Sequence, residues 1–245
     1  MKAPPVRIGC AGWQLPQAVL DAFPAGDSHL QRYAGVFNAS EINSSFHRPH
    51  RPATYERWAA SVPEGFAFSA KLPKAITHER RLVDCDAPLR GFFEQCAGLG
   101  GGMGCVLVQL PPSLAFDAQV AGRFFDALAR CYRGAVALEP RHASWFSGDV
   151  DSWLAGRRVA RVLADPVRHE AGRAPGGWPQ LVYLRLHGSP RTYYSSYPDD
   201  VLRPLADRIA LETQAGREVW CIFDNTAGQA AAGDALRLRD WLAQT

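Results

Sequence analysis

Charged, amide and imidazole side chains recur at one kind of place in this sequence, the end of a short run whose residues alternate as in a β-strand. The members of this set are Glu41, Lys71, Gln109, Glu139, Asp165, Arg185 and His187. Carboxylates, a lysine and a histidine that lie side by side can exchange protons with a substrate, and arginine can hold its charged groups. The set therefore predicts an acid–base or anion-binding site, provided that the fold brings these strand ends together.

Each catalytic candidate has a role under this hypothesis. Glu139 and His187 are the acid–base candidates, because a histidine titrates nearest to neutral pH. Lys71 could act as a general base or form a Schiff base if its neighbours lower its pKa. A carboxylate such as Glu41 would instead keep Lys71 protonated, which favours binding of a phosphate or carboxylate, and we prefer this interpretation. Arg185 would hold the same anion.

Loops that follow the strands supply further candidates. Arg141 and His142 come directly after the fifth strand, a position that suits an anionic or polyhydroxy ligand. Glu41, the fourth catalytic candidate, and Asn43 would orient that ligand. Aromatic rings in these loops could stack on a sugar or a nucleotide, and the tyrosine-rich loop 191–197 is a candidate lid. The remaining predicted ligand-binding residues are Trp13, Trp145, Tyr193, Tyr197 and Asn225.

Short apolar runs alternate with longer amphipathic segments along the whole chain. This order predicts parallel βα units in a single α/β domain, residues 1–245, and eight strands favour a TIM-like (β/α)8 barrel over an open sheet. No Gly-x-Gly-x-x-Gly follows the first strand, which weakens a Rossmann alternative. The predicted strands are Val6–Cys10, Ser40–Ser44, Ala67–Lys71, Cys105–Leu110, Ala135–Glu139, Arg161–Asp165, Val182–Leu186 and Val219–Asp224. The predicted helices are Ser28–Phe37, Thr54–Ser61, Pro88–Ala97, Ala118–Cys131, Val150–Ala155, Val201–Ala215 and Ala230–Ala243.

Side-chain alternation predicts which residues face the barrel interior. In the fifth strand Val136 and Leu138 suit the helix layer, so Glu139 points inward. The seventh strand places Arg185 and His187 inward in the same way. These positions predict a polar mouth at the carboxyl ends of the strands, where barrel enzymes place their chemistry. The other predicted inward residues near that mouth are Ala11, Trp13, Glu41, Asn43, Lys71, Leu107, Gln109, Leu163 and Asp165.

The composition limits the function classes. Of the 245 residues, 47% are hydrophobic and 21% charged, as in a folded globular protein, and a net charge of +3 permits a phosphate-bearing partner without requiring one. The six cysteines form no Cys-x-x-Cys pair, so we expect reduced, buried thiols. The first residues carry no apolar leader, and no run approaches about 18 apolar residues. These features predict a cytoplasmic protein with no membrane partner.

Seven motifs occur in order along the chain, namely Ile8-Gly-Cys-Ala-Gly-Trp13, Glu41-Ile-Asn-Ser-Ser-Phe46, Lys71 with Ile76-Thr-His78 in the following loop, Gln109-Leu-Pro-Pro112, Glu139-Pro-Arg-His-Ala-Ser-Trp145, Arg185-Leu-His-Gly188 and Asn225 with Gly228. Together they resemble the motifs of the YecE-like family, also called domain of unknown function 72. The resemblance implies a TIM-like barrel and no established activity. The chain departs from the family pattern at 14–16, where Gln-Leu-Pro replaces an aromatic residue and a second tryptophan, and at 224–226, where the family has a run of asparagines. If those segments wall the pocket, its ligand preference would differ from that of relatives.

Three functions are compatible with such a pocket. The preferred one is an enzyme, a hydrolase, lyase or isomerase, that acts on a small phosphorylated, carboxylated or nucleotide-like ligand. The second is a non-catalytic barrel that binds nucleic acid or a nucleotide through the same basic, aromatic mouth. The third is a divalent-metal isomerase or phosphodiesterase, which the basic residues of the mouth disfavour because they would repel the cation. Its metal ligands would be Glu41, Glu139, Asp165 and His187. The sequence leaves the substrate, the cofactor and the oligomeric state open.

Overall fold

The computed structural model describes residues 6–244. Within that range ten β-strands and seven α-helices follow one another along the chain. The strands are β1 Val6–Cys10, β2 Ala39–Ile42, β3 Ala67–Lys71, β4 Met103–Gln109, β5 Ala135–Glu139, β6 Val159–Arg161, β7 Leu163–Asp165, β8 Gly176–Gly177, β9 Leu181–Leu186 and β10 Glu218–Phe223. The helices are α1 His29–Ala34, α2 Pro52–Ala60, α3 Asp86–Cys96, α4 Ala118–Cys131, α5 Gly148–Ala155, α6 Asp199–Gln214 and α7 Ala231–Leu242.

The helices form where an amphipathic run begins with a residue that caps it. Helix α4 illustrates this. The Asp117 carboxylate accepts hydrogen bonds from the backbone N–H of Gln119 and Val120, at 2.8 and 3.0 Å, and so satisfies two N–H groups that have no partner inside the helix. Phe124 and Leu128, four residues apart, lie buried on one face. The helix therefore has the bounds that the sequence predicts, Ala118–Cys131.

The strands form two sheets, which are parallel except for one short antiparallel pair. One sheet has the order β1-β10-β9-β7, and the other has the order β2-β3-β4-β5-β6-β8. The antiparallel pair is β6 with the two-residue strand β8, which the sequence did not predict. The parallel ladders confirm the predicted α/β class, because parallel neighbours require the intervening helices as crossovers.

The two sheets adjoin at two places. Strands β6 and β7 belong to different sheets but are separated in the chain only by Val162, whose N–H donates to the Leu138 carbonyl at 2.9 Å. At the other junction Ala11 and Glu41 form a parallel bridge between the ends of β1 and β2. The structure thus has two adjoining sheets. The strand pairings within residues 6–244 do not join them into one continuous closed sheet.

Apolar side chains gather on both faces of the strands. The larger cluster lies between the strands and the α-helices and includes Val136 and Leu138 of β5. The smaller cluster, here called the inner cluster, contains no α-helical residue. Its fully buried members are Ala39, Ala67, Cys105, Leu107, Ala137, Ala160, Val162, Leu181, Tyr183, Trp220 and Ile222. Two residues beyond an inner-cluster member, the same face of the strand carries a polar side chain, such as Glu139 after Ala137.

The prediction for the sixth strand was wrong in its alternation. Ala160 and Val162 belong to the inner cluster, whereas Leu163 packs in the cluster against the helices. Arg161, on the same face as Leu163, binds Asp151 of α5 at 2.7 Å. Asp165 follows this parity, so its carboxylate does not join the inner polar set. Asp165 is the polar residue at the strand end, but a polar residue there does not by itself determine which face of the strand is the inner one.

All six cysteines are free thiols, and only Cys131 is not fully buried. None of the helices within residues 6–244 has the length and apolar character that crossing a membrane requires.

Candidate functional site

The side chain of Arg185, on β9, lies at the centre of a buried group of charges. Its Nε and Nη2 atoms donate to the two carboxylate oxygens of Glu41, at 3.0 and 2.7 Å. Its Nη1 donates to Glu139 Oε2 at 3.2 Å, and Nη2 also lies 3.0 Å from Asp224 Oδ2. The parallel register brings these carboxylates to one level, because β2, β5 and β10 all end beside the same inner face. One guanidinium therefore joins three strands.

His187 completes this group from the residue after the end of β9. Its Nε2 lies 3.0 Å from Glu139 Oε1, and its Nδ1 lies 2.9 Å from Asp224 Oδ2. A ring whose two nitrogens both face carboxylates donates from both, which is the hydrogen-bonding pattern of the imidazolium. We call Glu41, Glu139, Arg185, His187 and Asp224 the Arg185 network.

The electrostatics of the Arg185 network favour its charged forms. Burial acts to raise the pKa of Glu139, but Arg185, His187 and Arg141 hold that pKa well below its usual range. The pKa of Asp224 is lowered in the same way, chiefly by Arg185 against the effect of burial. Burial acts to lower the pKa of His187, yet the Glu139 charge and the hydrogen bond to Asp224 raise it. The pKa of Arg185 is raised by its carboxylate neighbours despite burial.

This pairing leaves Arg185 no free donor edge for a ligand. Its side chain is 0% exposed, and Glu41 alone occupies two of its nitrogens. In this arrangement the predicted clamp, in which Arg185 touches the anion, finds no free donor, because all nitrogens of Arg185 already face carboxylates. Below the network, the Tyr183 hydroxyl donates to Glu41 Oε2 at 3.0 Å and lies 3.0 Å from Ser69 Oγ. These contacts make Glu41 a buried structural partner of Arg185.

Lys71, at the end of β3, is held differently. Its side chain is buried, yet no hydrogen bond or ion pair reaches its Nζ from the residues that the structure describes. The Nζ lies 4.2 Å from the centre of the Phe46 ring. Lys71 Nζ is not one of the buried polar atoms that lack a hydrogen-bond partner, so this atom is partly accessible to water. Burial, and after it the charge of Arg185, lowers the pKa of Lys71 to about 8, against the opposite effect of Glu41, Glu139 and Asp224.

Two further basic side chains surround Lys71. The ring of His78 lies 5.0 Å from that of Phe46, and burial, Lys71 and Arg141 together lower its pKa. Arg141 Nη2 lies 2.5 Å from Glu139 Oε1 and 3.2 Å from His187 Nε2, while its buried Nε has no partner within residues 6–244. We call Lys71, Phe46, His78 and Arg141 the Lys71 site. It is the part of the mouth where cationic groups keep unused donors.

An open cavity of about 360 Å³ borders the same end of the strands. Glu41, Asn43 and Trp13 line it, together with Thr226 from the segment after β10. The Oδ1 atom of Asn43 is buried and has no hydrogen-bond donor among the described residues. An unsatisfied amide oxygen costs free energy unless water or a ligand supplies a donor, so this atom marks a polar binding position. The Trp13 ring packs edge-on against Trp58, with ring centroids 5.0 Å apart.

Some predicted ligand-binding residues serve the scaffold instead. Trp145 is 1% exposed, and its indole N–H donates to the Leu114 carbonyl at 2.9 Å. His142 accepts a hydrogen bond from the N–H of Ser144 and caps the short turn that begins there. Neither side chain meets the Arg185 network. Burial leaves Trp145 no surface for the predicted ligand contact, whereas for the half-buried His142, whose Nδ1 is used within its own loop, that contact stays a prediction.

Others tie the C-terminal loops to the strands. The Tyr197 hydroxyl donates to Asp165 Oδ1 at 2.7 Å and accepts from the N–H of Gly188 at 2.8 Å. These bonds leave Tyr197 and Asp165 facing each other and not a ligand. Asn225 donates to Asp234 Oδ2 at 2.6 Å and to the Ser195 carbonyl at 2.9 Å, although its buried Oδ1 is unpaired within residues 6–244.

Two predicted residues remain beside the mouth. Tyr193 is 40% exposed, with its ring edge-on to His187 at 5.5 Å. Gln109 is half-buried and lies opposite Glu139 in the register of β4 and β5.

Sequence reasoning missed Asp224 as a site residue. It is 4% exposed and binds both Arg185 and His187. The signal was present, because Trp220 and Ile222 share its parity and belong to the inner cluster. The alternation of this strand therefore places Asp224 on the inner face.

The donor set does not suit a divalent metal. The carboxylates of the Arg185 network already face Arg185, Arg141 or His187, whose positive charges would repel a cation. Within residues 6–244 no group of three acidic, histidine or cysteine side chains is placed to hold a metal ion. Both observations direct attention to an anionic ligand.

Comparison with known proteins gives a family and a fold. A family model described as "Protein of unknown function DUF72" matches residues 7–245. The UPF0759 protein YecE of Escherichia coli strain K12 is 28% identical over 166 residues, which is 65% of this chain and 59% of that protein. The alignment thus spans less than two thirds of the curated relative.

Solved structures support the fold. A DUF72 family protein from Thermotoga maritima MSB8 superimposes with a TM-score of 0.78 at 21% identity, over 97% of this chain and 99% of that one. A second, from Enterococcus faecalis V583, gives a TM-score of 0.78 at 20% identity over 98% of both chains. A putative vitamin-B12 independent methionine synthase from Listeria monocytogenes gives a TM-score of 0.55 at 9% identity, over 100% of this chain and 98% of that one, a likeness of fold alone.

Proposed function

The chain belongs to the DUF72 family of proteins of unknown function, and from the geometry of its site we propose that it is an enzyme acting on a small anionic ligand. The ligand is held by Lys71 and Arg141 at the carboxyl ends of the strands. We further propose that the two sheets form one TIM-like (β/α)8 barrel in a single domain. The contiguity of β6 and β7 and the bridge between Ala11 and Glu41 support closure at both junctions.

One observation carries the proposal, the surplus charge of Lys71. The three carboxylates of the Arg185 network face three cationic groups, namely Arg185, Arg141 and the imidazolium form of His187. The ammonium of Lys71 has no carboxylate within ion-pair distance among the described residues. A buried charge is costly unless it is paired. A ligand carboxylate or phosphate would supply the missing partner.

The same lysine supports catalysis as well as binding. A group with a pKa of about 8 is mostly protonated at neutral pH but releases its proton readily. His78, whose pKa is lowered, offers a neutral imidazole beside it. The Arg185 network, locked in its charged form, fixes the electrostatic field around both groups. Proton transfer to or from an anionic substrate, as in hydrolases, lyases and isomerases, is the chemistry that this pair supports.

Binding to inorganic phosphate and to acetate tests the anion site. Calorimetric titration of the wild type and of Lys71→Met compares affinities, and Arg130→Met is the control because that arginine is 62% exposed and pairs with Asp86. We expect Lys71→Met to weaken binding at least tenfold and Arg130→Met to leave it unchanged. Equal affinities in all three proteins would remove Lys71 from the site, and no binding to the wild type would end the proposal.

A further inference from the structure

A second cavity lies behind the Lys71 site. It has a volume of about 390 Å³, within the range of small-molecule sites. Its walls come from the turn after β2, the turn after β3 and the outer side of helix α3. Apolar side chains dominate the interior, among them Phe46, Pro73, Ile76, Pro88 and Phe92. His47, Arg48, Lys74 and Glu79 also line it, whereas none of the residues of the Arg185 network does.

The cavity and the Lys71 site share a wall. Phe46 lines the cavity, and the centre of its ring lies 4.2 Å from Lys71 Nζ, so the same aromatic ring contacts both the apolar space and the buried ammonium. The π-helical turn Ala75–Glu79 also belongs to both sides. Ala75, Ile76 and Glu79 line the cavity, while His78 packs against Phe46 within the Lys71 site. Single π-helical turns are rare and occur frequently at functional sites.

We propose that this cavity is the apolar subsite for the ligand whose anionic group is held at Lys71. The substrate class is then an amphiphilic anion, a carboxylate or phosphate ester that carries an apolar chain or ring. The inference rests on the proposed function, because the anionic group fixes one end of the ligand. The chain passes beside the Phe46 ring, and its burial among apolar side chains provides the affinity that phosphate alone lacks.

Helix α3 offers a clean way to fill the cavity. Gly91 lies on the cavity wall, and a Cβ at this position would meet no atom within 4 Å. Leucine in place of this glycine extends into the empty space, and both alanine and leucine form helix better than glycine. Gly91→Leu therefore blocks the cavity without disturbing the fold, and Gly91→Ala is the matched control because it gives the same gain in helix propensity with little filling.

The test is a calorimetric titration with acetate, butanoate and hexanoate, together with inorganic phosphate and hexan-1-ol. In the wild type and in Gly91→Ala we expect affinity to rise about fourfold per added methylene, the equivalent of about 0.8 kcal/mol. Gly91→Leu should lose this dependence on chain length while phosphate affinity stays unchanged. Lys71→Met should lose phosphate binding, whereas its affinity for hexan-1-ol should equal that of the wild type.

The two series separate the two proposals. If affinity does not rise with chain length in the wild type, or if the rise survives in Gly91→Leu, the apolar subsite is wrong whatever phosphate does. If hexan-1-ol binds and is blocked by Gly91→Leu while phosphate binding is indifferent to Lys71→Met, the cavity accepts apolar groups but the anionic site at Lys71 is wrong, and with it the inferred substrate class.

Discussion

The Arg185 network and the Lys71 site are both buried and charged at the same end of the strands, yet their charges are satisfied in opposite ways. Arg185 faces three carboxylates and is 0% exposed. Lys71 faces an aromatic ring at 4.2 Å and has no ion pair within the described residues. Removing one partner of a buried ion pair costs about 3–5 kcal/mol, whereas a cation over an aromatic ring gains about 1 kcal/mol.

The difference teaches which residues hold the fold and which are available to a ligand. A network whose members satisfy one another gains nothing from a ligand, so its charges stabilise the fold. An ammonium buried without a carboxylate is kept at a cost in stability. Such a cost is expected where a group must be ready for a ligand or a proton.

The largest expected effect is on the network side of this comparison. Arg185→Met leaves Glu41, Glu139 and Asp224 without the guanidinium that all three face, so we expect a loss of at least 3–5 kcal/mol in the free energy of unfolding. Urea denaturation measures it. Arg130→Met is the control, because that arginine is 62% exposed and its pair with Asp86 contributes about 0–1 kcal/mol. Similar losses in both variants would show that the network is not structural.

Glu139 should make the free energy of unfolding decrease at acidic pH. Although burial opposes it, Arg185, His187 and Arg141 hold the pKa of Glu139 well below its ordinary value of 4.5. The folded state therefore binds fewer protons than the unfolded chain, and this contribution is fully present above pH 4.5 and is lost as the pH falls toward the folded pKa. We expect Glu139→Gln to cost about 3 kcal/mol at pH 7.

Unfolding of Glu139→Gln should be followed from pH 7 to pH 3. Its deficit relative to the wild type should shrink below about pH 4.5, because the Glu139 carboxylate of the unfolded wild-type chain then takes up a proton that the folded state does not bind. A deficit that is constant over this range would mean that the Glu139 carboxylate is not stabilised by its neighbours.

Lys71→Met should change stability in the opposite direction. A lowering of the pKa from 10.5 to about 8 corresponds to about 3 kcal/mol of destabilisation while the amine is protonated. Loss of the contact with Phe46 offsets about 1 kcal/mol of this, so we expect the free energy of unfolding to rise by about 2 kcal/mol at pH 7. Because the unfolded state binds the extra proton between pH 8 and 10.5, wild-type stability rises through that window and the gain disappears. Urea denaturation at pH 7 and pH 10 measures the gain at pH 7 and its disappearance at pH 10. If Lys71→Met were less stable than the wild type at pH 7, the claim that Lys71 carries an unpaired, destabilising charge would be wrong.

The smallest expected effect comes from a residue outside both regions. His142→Ala removes a capping acceptor from a short turn, which costs about 0.5–1 kcal/mol. Affinity for phosphate should not change, since His142 reaches neither Lys71 nor Arg185. Weakened phosphate binding would restore the ligand contact that the sequence predicted for it.

Much of the fold was accessible from alternation and composition. Strands β1, β3 and β5 and helix α4 have the predicted bounds, because each is a strongly periodic run bordered by loop residues. The two-residue strand β8 carries no periodic signal and was missed. The predicted sixth strand is broken at Val162, and its parity was wrong because the inner face there takes small apolar residues while Arg161 turns out to Asp151.

The candidate site was predictable as a set of residues but not as a set of pairings. Alternation correctly predicts that Glu41, Glu139, Arg185 and His187 lie together. It does not predict that Arg185 forms ion pairs with these carboxylates through all its nitrogens. Nor could it tell that Trp145 and Tyr197 would be core residues, since a loop aromatic can face a ligand or the scaffold equally well. Those outcomes depend on distances between segments far apart in the chain.

The titration of Lys71 tests the central claim most directly. The chain has three lysines, Lys2, Lys71 and Lys74, so spectra of protein labelled with ¹³C-lysine are simple, and the Lys71 signal is the one that Lys71→Met removes. We predict a midpoint near pH 8 for this signal, moving upward when phosphate is added, because a bound anion stabilises the ammonium. A midpoint at the ordinary value of 10.5 that phosphate leaves unchanged would contradict the account.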